Sequence, residues 1–409
     1  MAVSSVVVLN DFCHVQGGAS RVAIDEAVAL KSAGLNVTFL GAVGPIAPEL
    51  SAADIRTICL RQPQLLDANR HPKTLLQALW NRHAYRATNS LLETLDRRQT
   101  IVHLHGYTKA LTTTPALAAR RAGFAVICTL HDFFAACPNG AFFDYRRQRP
   151  CPLRALSAAC MLTNCDKRHP AHKAYRTARA LTPRHVARFP AAVRDYISLS
   201  EQSVRLLRPY LPADARFHGL SNIIHVGRAP PVDAGANRQL VVVGRLDAEK
   251  GVLLAADAAR RAGVPIVFVG DGPLRSDIEA TGARVTGWLA ADAVRREVEQ
   301  ARCLVFPSLW YEAFGLVVDE AAARGVPSIV SDVSAPAERV IDGYTGWIFP
   351  SGDIGTLERC LRQTRDADVV SAAGLAAYRR YWSNPSDPQH HTRRLAAIYD
   401  AALAHSRSD

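Results

Sequence analysis

Short apolar runs, each closed by a glycine turn and followed by an alanine-rich stretch with helical spacing, recur along most of this chain of 409 residues. The first is 5-SVVVLN-10, then Gly17-Gly18-Ala19, a helical pattern from Ser20 to Ala33 and a second run, 37-VTFL-40. Further strand-like runs stand at 101-IVHLH-105 and 125-AVICTL-130, with an alanine-rich helix at 115–122 between them. Strand and helix alternating in this way demand parallel strands with helices on both faces, because parallel strands need long crossovers.

The alternation is interrupted once. The stretch 226-VGRAPPVDAGANRQ-239 is rich in Pro, Gly and polar residues and reads as a linker. Beyond it, strand runs at 240-LVVVG-244, 265-PIVFVG-270, 284-RVTG-287 and 303-CLVFPS-308 alternate with helices at 252–262, 274–280 and 291–301. A chain of this length exceeds one ordinary core. The expected organisation is α/β: a Rossmann-like domain at 1–225, the linker 226–239, and a second Rossmann-like domain at 240–385. A closing helix at 386–409 is expected to return to the first domain. Ligands of open α/β sheets bind beyond the carboxyl ends of the strands. Two such domains facing each other would place one ligand in the cleft between them.

Charge divides along the same line. Residues 1–220 hold 28 Lys and Arg against 14 Asp and Glu, a net of +14, and residues 221–409 hold 21 against 23, a net of −2. A one-sided basic balance suits a phosphorylated substrate, an anionic membrane face or a nucleic acid. No recognised nucleic-acid-binding module accompanies it, so no nucleic-acid partner is expected. No apolar run approaches the ~18–20 residues of a spanning helix. The amino terminus reads as a first strand rather than a signal peptide. The expectation is a cytoplasmic protein with reduced cysteines.

Three clusters in the second domain carry chemistry. In 244-GRLDAEKG-251, Arg245 and Lys250 set two cations at a strand's carboxyl end, which suits a diphosphate. A second glycine turn, 270-GDGP-273, ends the next strand. In 309-LWYEAFGLVVDEAAARGVP-327, Glu312 lies before a helix start at Phe314-Gly315-Leu316 and Glu320 lies about two turns inside it. The amides at a helix start favour an anion. Carboxylates on either side would repel a phosphate unless they accept hydrogen bonds from hydroxyls. A ligand carrying hydroxyl, diphosphate and hydroxyl in that order matches the pattern, and a sugar nucleotide has that layout.

These motifs together resemble the retaining glycosyltransferases of family four, which have the GT-B fold. The resemblance runs on through 286-TGW-288 and 342-DGYTGWIFPSGD-353 and extends over nearly the whole chain. It implies Glu312 at the donor sugar hydroxyls and Glu320 at the ribose. Arg245 and Lys250 would then hold the diphosphate, assisted by the amides of Phe314, Gly315 and Leu316. Gly17 and Gly18 match the glycine turn that lets diphosphate and acceptor approach. His131, in 129-TLHD-132, matches a histidine that faces the donor sugar. His105 is expected on the acceptor side, and Asp132 either orients His131 or caps the following loop. One departure stands out: 334-SAPAE-338 replaces a Gly-Gly pair, which leaves less room for close backbone approach.

Nine cysteines remain. Cys13, Cys59, Cys128, Cys303 and Cys360 are dispersed and read as small buried hydrophobes. Cys137, Cys151, Cys160 and Cys165 cluster, and either hold a structural Zn²⁺ or form a packed cysteine-rich loop. The same segment carries Arg146, Arg147, Arg149, Arg154, Lys167 and Arg168 beside Phe142, Phe143 and Tyr145. Cations interleaved with aromatics suit anionic headgroups or a lipid-linked diphosphate.

The reading is a retaining hexosyltransferase with a nucleotide-diphosphate sugar as donor and a lipid-linked or saccharide acceptor. It would act in cell-surface polysaccharide or glycolipid synthesis, as a peripheral protein on the inner face of the plasma membrane. No cofactor is expected for catalysis, since no Asp-x-Asp triplet is placed to hold Mg²⁺ on the diphosphate. The alternative is a nucleotide-sugar-binding protein without activity.

Overall fold

The computed structural model describes residues 3–64, 76, 77, 79–168, 170–186, 189, 190 and 193–408. The chain divides into two compact units, one of Met1–Ala141, Leu153–Ile223 and Ser386–Asp409, the other of Phe142–Pro152 and Ile224–Pro385.

The first unit is built on β1 (Ser5–Phe12), β2 (Asn36–Val43), β3 (Arg56–Cys59), β4 (Thr100–Leu104) and β5 (Ala125–Thr129). A hairpin of β6 (Phe143–Asp144) and β7 (Arg149–Pro150) comes next in the chain and clusters with the second unit. Strands β8 (Asp195–Ser198) and β9 (Arg216–Gly219) complete a seven-stranded parallel sheet in the order β3-β2-β1-β4-β5-β8-β9. Val6 of β1 lies in register with Val37 on one side and Ile101 on the other. Central parallel strands are covered on both faces, which is why β1, β4 and β5 are nearly continuous apolar runs. The helix Gly18–Ser32 turns Val22, Ala23, Glu26, Ala27 and Leu30 inward at helical spacing, so a glutamate stands in its buried stripe. The helix Pro388–Ser408 adds Leu395, Tyr399 and Leu403 to the same core, beside Ile24, Phe39 and Ile127.

The second unit holds β10 (Gln239–Val243), β11 (Ile266–Val269), β12 (Arg284–Val285), β13 (Ala301–Phe306), β14 (Ser328–Ser331) and β15 (Gly346–Phe349). They form a six-stranded parallel sheet in the order β12-β11-β10-β13-β14-β15. Alternation along each strand splits the core into two layers. Leu240, Val242, Cys303 and Val305 pack with helix Val252–Ala262, whereas Val241, Leu304 and Phe306 pack with Val318 and Ala321 on the other face. Each fully buried aliphatic side chain contributes about 1.5–3 kcal/mol.

Two segments differ from the sequence expectation. The stretch 226–239 is not a free linker: Ala234 is fully buried, Val232 donates its amide to the Arg324 carbonyl, and Asn237 Nδ2 donates to the carbonyls of Glu299 and Ala301. Backbone hydrogen bonds, the Asn237 side chain and the packing of Ala234 and Val232 against the core tie it to the second unit. Phe142 and Phe143, read as surface aromatics, are both core residues. The hairpin turn exposes Arg146, Arg147 and Arg149 instead, and Asp144 accepts the amides of Arg146 and Arg147 to shape it. Among the described residues no helix is long and apolar enough to cross a membrane.

Candidate functional site

In the second unit the predicted residues converge at the carboxyl ends of β10, β11 and β13. Gly244 and Gly270 end neighbouring strands, both with positive φ, and a Cβ on Gly270 would overlap the Gly244 carbonyl oxygen. Arg245 then points outward with half its side chain exposed, its guanidinium 2.5 Å from Asp247 Oδ2. One turn later Lys250 reaches Glu312, and its ammonium donates to Glu312 Oε1. The same carboxylate oxygen accepts from Trp310 Nε1 at 2.7 Å and from Ser308 Oγ at 3.1 Å. Lys250 also sits 5.2 Å from the centre of the Trp310 ring. Burial alone would push the Glu312 carboxyl up, but Lys250 and the two other donors, Trp310 and Ser308, outweigh it and hold the group below its ordinary range. The site therefore contains a fixed anion beside a fixed cation.

The backbone after Glu312 is clamped. Gly315, at φ +81°, precedes helix Leu316–Ala322, and a Cβ there would crowd the Pro336 ring. Arg339 lies 4.3 Å over the buried Phe314 ring, donates to the Phe314 carbonyl at 2.6 Å and pairs with Asp319 at 2.9 Å. Glu320 follows on the same helix, and burial together with the neighbouring Asp319 raises its carboxyl pKa. Ser334 and Ala335, which replace the expected glycines, are both buried, and the Ala335 amide donates to the Glu312 carbonyl at 3.1 Å. The chain's one Asp-x-Asp triplet, Asp366-Ala367-Asp368, is a helix cap: Asp366 accepts the amides of Asp368 and Val369.

In the first unit Gly17 starts the helix after β1 at φ +127°, and a Cβ on Gly17 or Gly18 would meet nothing of the chain within 4 Å. The backbone is open to a ligand there. Asp11, at the end of β1, accepts the amides of Lys109, Ala110 and Leu111 at 2.7–2.9 Å and fixes the loop after β4. Nearby a pocket is lined by Arg176, Arg179 and Arg184 with Tyr107, Thr112 and Phe134.

His131 follows β5 and is partly exposed; burial of its ring lowers its pKa to about 4, so it is neutral at physiological pH. Its Nε2 lies 3.0 Å from His105 Nδ1. His105, expected on the acceptor side, is turned inward instead: its side chain is fully buried, with Nε2 3.1 Å from His103 Nδ1 and 3.4 Å from Glu26 Oε2. Strand periodicity is the cause, since 101, 103 and 105 share the inner face with Ile101. Asp132 takes the second of its two expected roles: its Oδ1 accepts the Phe134 amide at 3.0 Å, and burial raises its pKa to about 6.

Among the described residues the four cysteines are not gathered into one set of metal ligands. Lys173, itself buried, sends its ammonium between Cys165 Sγ at 3.3 Å and Cys160 Sγ at 3.6 Å. Asn139 bridges Cys137 and Cys165. Burial works against the ammonium, but the thiols of Cys165 and Cys160 outweigh it and raise its pKa. A divalent cation is repelled by a positive charge already lying among the sulfurs. Cys151 belongs to the hairpin segment of the second unit, its amide donating to the Phe142 carbonyl.

Sequence reasoning missed Asp11, Glu26, His103 and His391 in the first unit, and Ser308, Trp310, Asp319 and Arg339 in the second. A signal existed for His103: a histidine inside an apolar parallel strand is buried and needs partners. For Asp11, Glu26, His391, Asp319 and Arg339 the partner lies far away in the chain, as with Glu26 and His391, whereas Ser308 and Trp310 reach Glu312 locally.

Residues 237–365 match the family model described as glycosyl transferases group 1, and that segment is a group 1 glycosyltransferase domain. The glycogen synthase of Mycobacterium tuberculosis is 30% identical over 177 residues, 40% of this chain and 42% of that protein. The GDP-mannose-dependent alpha-mannosyltransferase of Corynebacterium glutamicum is 26% identical over 195 residues, 41% of this chain and 46% of that protein. The alignments span less than half the length of these curated relatives. Among solved structures, sucrose-phosphate synthase from Thermosynechococcus elongatus superposes with a TM-score of 0.66 at 18% identity, covering 98% of this chain and 100% of that one. Anabaena Alr3699/HepE in complex with UDP-glucose does so at 0.62 and 16%, covering 97% and 99%. The fold is that of GT-B glycosyltransferases, with two Rossmann-like domains.

Proposed function

We propose that this protein is a retaining glycosyltransferase that moves a sugar from a nucleotide-diphosphate donor to an acceptor hydroxyl without a catalytic metal. The observation that carries this reading is the Lys250–Glu312 pair at the strand ends of a group 1 glycosyltransferase domain, with Arg245 beside the same edge. Arg245 and Lys250 neutralise the diphosphate, assisted by the amides of Phe314, Gly315 and Leu316. Glu312, held anionic, accepts hydrogen bonds from donor-sugar hydroxyls, and Glu320 accepts from the ribose.

Catalysis then consists of stabilising a departing diphosphate with preorganised charge. The acceptor oxygen bonds to the anomeric carbon on the face the diphosphate leaves. The carbon–oxygen bond to the diphosphate breaks with its electron pair on the nucleotide, and the acceptor's proton passes to the departing phosphate oxygen. His131, neutral, donates to a sugar hydroxyl or steadies charge at the reacting carbon. The arginine-lined pocket of the first unit suits an acceptor that carries phosphate, such as a lipid-linked saccharide.

The test is a thermal-shift panel of nucleoside diphosphates followed by turnover of the matching nucleotide sugar. One nucleotide should raise the melting temperature by mass action. Turnover should retain the anomeric configuration and be unchanged by added Mg²⁺ or Mn²⁺. Binding of the nucleotide sugar with no transfer to any acceptor would favour the non-catalytic reading.

A further inference from the structure

The inner face of the first unit holds five polar side chains where a core is expected to be apolar: Glu26, His103, His105, His391 and Tyr399, all buried. They come from four separate places, namely the helix after β1, strand β4, the residue just past it, and the helix Pro388–Ser408. Burying this many polar groups is costly unless each finds a partner. One does not: Glu26 Oε2 is buried and has no hydrogen-bond partner.

That oxygen lies 3.7 Å from His103 Nδ1 and 3.4 Å from His105 Nε2, and the two nitrogens are 3.1 Å apart. Among the described residues these are the only three His, Cys, Asp or Glu ligand atoms found mutually within 4.8 Å. A tetrahedral Zn²⁺ with bonds of ~2.0–2.1 Å sets its ligand atoms about 3.3–3.4 Å apart. The observed edges of 3.1, 3.4 and 3.7 Å bracket that separation, and shifts of a few tenths of an ångström would bring all three to it.

The outer atoms of the same side chains are already engaged. His103 Nε2 meets Thr129 Oγ1 at 2.7 Å, His105 Nδ1 meets His131 Nε2 at 3.0 Å, and Glu26 Oε1 meets His391 Nε2 at 3.1 Å. Ligands to a metal are oriented by second partners of this kind. The Tyr399 hydroxyl is hydrogen-bonded to the same His103 Nδ1 at 2.7 Å, a contact that an ion at that nitrogen would displace. We propose that Glu26, His103 and His105 bind one Zn²⁺ ion within the core of the first unit.

Such an ion accounts for the unpartnered oxygen and fixes the ring protons. With His105 Nε2 on the metal, its proton sits on Nδ1 and is donated to His131 Nε2. The proton of His131 then sits on Nδ1, the nitrogen not held by His105. The ion is thus a positioning element for His131 and takes no part in the reaction. The site is separate from the thiols around Lys173, and its existence does not depend on the transferase reading.

The experiment is metal analysis of the full-length protein purified after growth with Zn²⁺ and washed with chelator, with X-ray absorption at the zinc edge. About one zinc per chain should be found, with nitrogen and oxygen ligands at ~2.0–2.1 Å and no sulfur shell near ~2.3 Å. Glu26→Gln and His105→Gln should lower zinc affinity at least tenfold, while Cys160→Ser and Cys165→Ser retain the metal. Zinc-free wild-type protein overturns the proposal, and so does zinc bound through sulfur. Both of those readings come from the wild-type chain, so they stand even if a variant does not fold.

Discussion

Lys250 and Glu312, 62 positions apart, form one ion pair, and the carboxylate oxygen that receives the ammonium is also the acceptor for Trp310 and Ser308. A group with three donors on one oxygen keeps its second oxygen available to a ligand. The pair is a structural contact and, in the proposed reading, a subsite for the donor, and the two roles can be separated by mutation.

Lys250→Met should cut transfer by on the order of 10²–10³. It should also destabilise the fold, because it leaves a buried carboxylate that has lost its cation. The double variant Lys250→Met/Glu312→Gln should regain most of the lost stability and none of the activity. Chemical denaturation alongside single-turnover rates measures both. A double variant that transfers sugar at the wild-type rate rules out the assigned roles.

Asp132 gives a pH-dependent expectation. Burial lifts its pKa to about 6, above the ~3.9 of an unfolded aspartate. The folded protein therefore binds this proton more tightly than the unfolded chain does. Its contribution is fully favourable below about pH 4 and is lost as pH rises through 6. Asp132→Asn, which can still accept the Phe134 amide, should stabilise the protein on the order of 1–2 kcal/mol above pH 6.5. It should have little effect near pH 4. Melting curves of the two proteins across that range would show a gap that opens with pH; a constant gap contradicts the assignment.

Docking on an anionic membrane face is expected to depend on Arg146, Arg147 and Arg149, exposed on the β6–β7 turn, and not on Phe142 and Phe143, which are buried. Each basic residue near such a surface contributes about 1 kcal/mol. Replacing all three by Ala should weaken co-sedimentation with anionic liposomes by roughly a hundredfold at low salt. Wild-type binding should fall steeply as ionic strength rises. Equal binding of both proteins, or binding to neutral liposomes, removes the electrostatic docking claim and leaves the transferase reading in place.

The α/β class was legible because β1, β4, β5, β10, β11 and β13 are dense apolar runs, and such runs are what central parallel strands require. Strands β3, β8, β9 and β15 were not read. They are four residues long, and RTIC, DYIS and RFHG mix polar and apolar residues without a clear period. The second unit's site was legible because Arg245, Lys250, Glu312 and Glu320 fall in motifs local in sequence. The polar core of the first unit was not, because Glu26, His103 and His391 acquire meaning only when three distant segments meet. Each reads in sequence as an ordinary polar residue of its helix or strand.

Tyr399 and His391 close that core from the far side of the entire second unit in sequence. On a ribosome adding about 5–20 residues per second, residues 224–385 take roughly ten seconds or more to be made. During that interval the early strands wait without the helix that covers Ile101, Ile127 and His103. The later-coded unit has all its residues first. Synthesis and completion therefore run in opposite orders in this chain, and the first half to be made is the last to close.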